Sequence, residues 1–282
     1  MTPDGGGPPA PTVRHRNRLA LVVFWGSAAF LAPWIVLLAV TQKTGGTAYH
    51  VRFLGIGGAV LLIGASVVTA VHCRRRSSYV VPSATFTGTL AFITGWFAVV
   101  ATTGRARSTA DALCAVVLLP LVGLSVVLVR RCYVQRHARA GIPPWAPAAY
   151  LVGAALLVPF IGVVALSGHA DVAAVHLRVV WTGLDVFELW FLVATGIHVY
   201  RGTPMVAVTA MCLATLLFSD AWFNILSTTG VAAVAAVVMA FGEVPVALYA
   251  AHTGLGEVRR WQGDDTADTV PVGLRRPGAP TP

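Results

Sequence analysis

Long apolar stretches alternate with short polar ones along the whole chain. A bilayer core about 30 Å thick needs roughly 20 apolar residues in helical form to cross it. Measured with that length, eight stretches predict spans: 19–41, 53–72, 79–103, 110–129, 145–167, 179–200, 204–226 and 231–252. The connections between them are short, which predicts antiparallel neighbours packed as a bundle. Residues 1–13 and 262–282 are polar and rich in proline and glycine, and are expected to be disordered tails. The first stretch follows Arg14, Arg16 and Arg18 and exceeds the apolar core of a cleaved signal peptide, about 7–15 residues. It is therefore expected to be retained as a helix.

Composition agrees with this pattern. Of 282 residues, 56% are hydrophobic and 11% charged, and the mean hydropathy is +0.75. Soluble domains carry about 25% charged residues, so this chain lacks the polar surface to cover itself in water. An all-α integral membrane protein is expected, with the lipid bilayer of the cell membrane as its surroundings. The net charge of +9 resembles a nucleic-acid footprint until the cations are placed. Fifteen of the twenty Lys and Arg fall in the N-terminal tail, the C-terminal tail and the connections after spans 2, 4 and 6. Only Lys43, Arg52, Arg105, Arg107 and Arg178 fall on the other side. Positive charge collects on the cytoplasmic side, so both termini are expected there. The basic balance is a sidedness signal, and no nucleic-acid partner is expected. The four cysteines form no CxxC pair, which predicts neither a disulfide framework nor a metal cluster.

The chain also matches itself. With a shift of 126 residues and no gap, 22 of the 72 positions in 33–104 are identical to those in 159–230. His50 and Arg52 fall on His176 and Arg178, Gly57 on Gly183, His72 on His198 and Arg75 on Arg201. Trp96-Phe97 falls on Trp222-Phe223, and Pro33 on Pro159. The matched histidines and arginines sit at span ends, where capping or headgroup contact is the expected role. Each unit holds an even number of spans, so both copies enter the membrane the same way round. The expected architecture is eight transmembrane helices as two tandem parallel four-helix repeats, 14–139 and 140–261. Transporters also use parallel repeats, with sites at the repeat interface.

The copies differ most in their acids. Asp185, Glu188, Asp220 and Glu243 align with Ala59, Leu62, Thr94 and Val117, and Asn224 aligns with Ala98. Ionisable groups inside a membrane cost several kcal/mol and mark functional interiors. Trp181, Asp185 and Glu188 share one face of span 6, while Asp220, Phe223 and Asn224 share one face of span 7. All four acids are expected to converge on one cavity in the outer half of the bundle, walled by Trp181, Phe187, Trp190, Phe191, Trp222 and Phe223. No Lys or Arg lies within spans 6 to 8 to neutralise them. Four ionised carboxylates cannot coexist in so apolar a place, so at least one is expected to hold a proton and serve as a donor. Protonated acids can equally hydrogen-bond neighbouring helices without doing chemistry.

A neutral carboxylic acid among aromatic faces suits protonation of an alkene or epoxide, with the resulting carbocation held by cation–π contacts of about 0.5–2 kcal/mol each. The blocks Trp181-Thr182-Gly183-Leu184-Asp185-Val186-Phe187-Glu188 and Ser219-Asp220-Ala221-Trp222-Phe223-Asn224 resemble a recurring pair in actinobacterial multi-pass membrane proteins. More loosely, the chain resembles the bacterial membrane-bound terpene cyclases of the drimentine type, which cyclise prenylated cyclic dipeptides. That resemblance implies an isoprenoid-bearing substrate, with Asp220 and Glu188 as the first candidates for the proton donor and its partner. No NDxxDxxxD-like run is present, so a diphosphate–Mg²⁺ site is not expected, nor any other metal or cofactor. A proton-coupled transporter of small molecules is the second expectation. A non-catalytic membrane protein is the third, and the intramembrane acids weigh against it.

Overall fold

The computed structural model describes residues 12–41, 47–75, 77–101, 111–133, 142–166, 172–227 and 231–268. Among the described residues the chain is all-helical, without a strand. In chain order the helices are α1 (Thr12–Thr41), α2 (Thr47–Arg75), α3 (Val80–Ala101), α4 (Leu119–Tyr133), α5 (Ala146–Leu166), α6 (Val172–Arg201), α7 (Val206–Ser227) and α8 (Val231–Asp268). Seven described stretches are long and apolar enough to cross a membrane, as a multi-pass membrane protein requires: one each in α2, α3, α5, α6, α7 and α8, and Asp111–Arg131, which runs through a π-helical turn into α4. The described apolar stretch of α1 is shorter, Arg18–Pro33. Parts of both expected tails, 1–11 and 269–282, and most of the cation-bearing connections lie outside the described residues.

Helix is what such sequences must adopt where water is scarce, because each backbone N–H and C=O then finds its partner within its own segment. Hydroxyls follow the same rule. Thr69, Thr85, Thr87, Thr94 and Thr215 each donate to the carbonyl four residues back, at 2.7–2.9 Å. α4 is entered through a π-helical turn at Cys114–Leu118. Pro120 follows, and its ring would collide with the carbonyl four residues back, at Val116. The wider turn relieves that collision.

Several elements run further than the hydropathy pattern gives. α2 begins at Thr47 and α6 at Val172, so His50, Arg52, His176 and Arg178 lie inside helices rather than at their first residues. Their side chains are outside the described residues. α8 continues to Asp268, past the end of the expected span at 252 and into the expected tail. Its extension is amphipathic: Thr253, Glu257, Val258 and Trp261 form a buried face on a helical period. Trp261 and Val258 pack against Val81 of α3 and Ala207 of α7. Burial of that face, which an apolarity scan cannot see, keeps the segment helical.

Helices α1 to α4 enclose one apolar core, around Phe24, Leu62, Leu90 and Leu121. Helices α5 to α8 enclose another, around Tyr150, Leu192, Leu213 and Ala250. The halves meet where α2 and α3 pack on α6 and α7. The contacts there are reciprocal. A Cβ at Gly57 would lie 3.1 Å from the Trp222 indole nitrogen, and one at Gly183 would lie 2.6 Å from Cζ2 of Trp96. Phe97 touches Phe223, with ring centroids 4.3 Å apart. Gly57 and Gly183, Trp96 and Trp222, and Phe97 and Phe223 are each 126 positions apart.

The turns after α2 and α6 correspond in the same way. Ser77 N donates to the His72 carbonyl and Thr203 N to the His198 carbonyl, both at 3.1 Å. Val80 and Val206 then bond back to residues 77 and 203. Gly202 takes φ +59° here, the left-handed conformation that closes α6 and is cheap only for glycine.

The lock between halves makes a test. Gly183→Ala forces the Trp96 ring aside although its indole N–H is bonded to the Val180 carbonyl at 3.2 Å. It should cost about 1–3 kcal/mol in reversible unfolding in detergent, the usual cost of overpacking. In a Trp96→Leu background the same substitution should cost clearly less.

Candidate functional site

Three helices of the second half deliver the acids. Asp185 and Glu188 sit on α6, Asp220 on α7 and Glu243 on α8. α7 is the most enclosed helix of the bundle, with 83% of its apolar stretch buried, and its polar residues Thr209, Thr215, Ser219 and Asp220 are all buried. Asp185, Glu188 and Asp220 are 4%, 2% and 2% exposed, and one carboxyl oxygen from each lies within 4.8 Å of the others. Glu243, half-buried on α8, stands next to Asp220. Asn224 stands one turn along α7 and donates from Nδ2 to Asp220 Oδ2 at 2.9 Å.

Three oxygens in this group have no hydrogen-bond partner: Glu188 Oε1, Asp220 Oδ1 and Glu243 Oε2. Among the described residues no Lys or Arg is paired with these acids. The cluster can therefore release or accept a proton, and Asp185, Glu188 and Asp220 are also disposed to hold a cation.

The sequence places these four acids together, and the fold brings them together. The expected cavity among them is different. The cavity of the structure, about 500 Å³, lies between α3, α4, α6 and α7, and none of the four acids lines it. Of the six expected aromatic walls only Phe187 and Phe191 line it. Trp181 and Phe223 instead pack with Phe97 beside the acids, as an apolar cluster that also holds Leu184 and Leu216. Trp190 is 69% exposed on the outer surface of the bundle, and Trp222 packs on Gly57. The reason is angular. Successive helical residues are about 100° apart, so Phe187 turns toward Phe92 and Trp96 of α3 while Glu188 turns toward α7 and α8.

Cavity and acids are nonetheless adjacent. Leu216 lines the cavity, and Asp220 follows one turn further along the same face of α7. Phe187 and Phe191 line it from α6, flanking Glu188 in sequence.

Several contributors come from positions that sequence reasoning passed over. Phe92, Ser125 and Arg130 of the first half line the cavity, as does Cys212, to whose sulfur Thr89 donates at 3.3 Å. Only the packing of the halves brings them together. Glu257 is 2% exposed and anchors the inner end of α8, accepting from Arg260 Nη1 at 3.1 Å and from the Trp261 indole at 3.2 Å. Its spacing with Trp261, i to i+4, was a legible signal, masked by the polarity of the surrounding segment. His198 pairs through Nδ1 with Thr203 Oγ1 at 2.8 Å, a helix-end contact.

Scans against family models, curated proteins and solved structures return no match to this chain.

Two substitutions probe the buried carboxyls. Hydrogen bonds to charged groups are worth about 1.5–3 kcal/mol. Trp261→Phe should lower stability within that range by stripping a donor from the ion-paired Glu257, and Asn224→Ala, whose partner Asp220 holds its proton, by about 0.5–1.5 kcal/mol, the usual worth of a neutral hydrogen bond. Unfolding of each variant in detergent checks both. A change below a few tenths of a kcal/mol would show that these bonds contribute nothing.

Proposed function

We propose that the chain is a membrane-bound enzyme that protonates an isoprenoid-bearing substrate and cyclises it, in the manner of the terpene cyclases it resembles. In this proposal all eight helices cross the membrane as two parallel four-helix repeats, with both termini in the cytoplasm. The reciprocal Gly–Trp contacts and the matched turns support the repeats. The distribution of cations supports the orientation.

The observation that carries the enzymatic reading is the apposition of two things. One is a buried carboxyl cluster with unshared oxygens. The other is an apolar cavity of about 500 Å³, within the usual range of small-molecule sites. Asp220 and Glu188 are the proton donor and its partner, with Asp185 and Glu243 holding the proton supply. The carboxyl O–H adds its proton to a terminal alkene carbon of the substrate, and the adjacent carbon becomes a cation. An internal alkene attacks that cation to close the ring. Loss of a proton from the cyclic cation to a carboxylate restores the acid and leaves a product of unchanged mass. Phe187, Phe191 and Phe92 supply π faces for the cationic stage. Opening toward the cluster is a movement of Phe187 or Phe191, whose side chains occupy the ground between.

A second reading rests on Asp185, Glu188 and Asp220 lying within 4.8 Å, a set also suited to a transported cation. One experiment separates the two. Membranes containing the protein are fed farnesylated and geranylated acceptors and analysed for isomeric products of the same mass. Turnover is expected from the wild type, at least a hundredfold less from Asp220→Asn and Glu188→Gln, and a normal folded yield from both. No product from the wild type, together with cation-driven solute uptake into vesicles, would instead favour the transporter.

A further inference from the structure

We infer that the cavity between α3, α4, α6 and α7 binds a single-chain amphiphile with a single anionic group, a carboxylate or a phosphate monoester, as its head. The inference deepens the proposed function by naming the substrate's polar group and its route of entry, and to that extent rests on it.

The cavity has two unlike ends. Between Val208 and Leu216 on α7 it runs along about 12 Å of helix, at 1.5 Å per residue, and Met205 extends it into the turn before α7. At the far end stand Phe92, Phe187 and Leu216, all apolar, next to the carboxyl cluster. At the near end stands Arg130, in the last turn of α4. Among the described residues Arg130 is the single charged side chain lining the cavity. Its guanidinium is exposed, so it meets the aqueous edge of the bilayer while its stem lies along the apolar wall. A lone guanidinium with no acid lining the same cavity matches one carboxylate or phosphate monoester, bound through paired N–H donors. It does not match a diphosphate, which needs further cations.

The wall carries two more signals. Ser125 is 3% exposed, lines the cavity, and its hydroxyl has no hydrogen-bond partner, so a polar atom of the ligand is free to meet it partway along. Val126 and Phe92 also line the cavity yet are 60% and 40% exposed on the outer surface of the bundle. The cavity therefore opens sideways onto the face that meets hydrocarbon. A chain already dissolved in the bilayer enters there, leaves its head on Arg130, and carries its far end toward the acids.

Full-length protein in phosphatidylcholine nanodiscs, titrated with radiolabelled farnesyl phosphate, farnesol and palmitate, tests this directly. Farnesyl phosphate should bind at least tenfold more tightly than farnesol, and palmitate, which also carries one anionic head, should compete with it. Arg130→Gln should erase the preference over farnesol and leave farnesol affinity within twofold. Cys212→Trp should abolish binding of both, and Val126→Trp, on the exposed wall, serves the same purpose if the first variant fails to fold. Asp220→Asn should bind farnesyl phosphate normally. Equal affinity for farnesol and farnesyl phosphate, an unchanged preference in Arg130→Gln, or no competition by palmitate would overturn the inference. Its failure differs from that of the cyclase: binding without turnover sinks only the cyclase, and turnover without head preference sinks only this inference.

Discussion

The interlock of tryptophan and glycine across the two halves fixes nearly everything else in the molecule. Trp96 lies against the bare backbone at Gly183, Trp222 lies against Gly57, and Phe97 meets Phe223 between them. Small residues let helices approach closely in an environment where apolar burial offers little drive for association, because lipid is as apolar as leucine. Here the glycines admit whole indole rings, which adds dispersion contact and, for Trp96, a hydrogen bond to the Val180 carbonyl. With that interlock set, α3 and α7 become the central pair and α7 is the most enclosed helix, exposing only Phe218, Trp222 and Ile225 among its large side chains.

Burial of α7 in turn governs the chemistry. A carboxyl group facing lipid would be untenable, but on α7 Asp220 faces Glu188 and Asp185 of α6 and Glu243 of α8. The four acids meet because three consecutive helices present them at compatible heights. Their second-half location leaves the first half to contribute differently, through the apolar floor of the cavity, Arg130 at its mouth and the aromatic pair at the interlock. Acid and cavity stand on opposite sides of Phe187 and Phe191. That arrangement keeps the carboxyls away from lipid and still one helical turn from Leu216, at the far end of the cavity.

How much of this was legible depends on the kind of signal. Seven of the eight expected spans follow from apolar length. The four acids and their grouping follow from their rarity and from helical spacing, and the matched Gly57/Gly183 and Trp96/Trp222 positions are visible in the self-alignment. The aromatic wall was not legible. Trp190 and Phe187 are three residues apart and were both assigned to the site, but the first faces outward and the second faces α3. An apolar sequence surrounded by lipid has no polar stripe to reveal which side is out. The extension of α8 was hidden for the opposite reason: Glu257, Arg259 and Arg260 make the segment polar, while burial of Val258 and Trp261 makes it helix.

The amino-acid order by itself determined that this is a helical membrane chain, that its halves correspond at a shift of 126 residues, and that its intramembrane acids belong to one half. Those properties depend on composition and local spacing, which a linear string records. The tertiary structure alone decided that the cavity is shared between halves and that its lining includes Arg130 and Ser125 of α4. It also decided that the acids stand beside the cavity rather than inside it. Each of these depends on the rotation of one helix about its axis relative to another, and in lipid only contact between side chains sets that rotation.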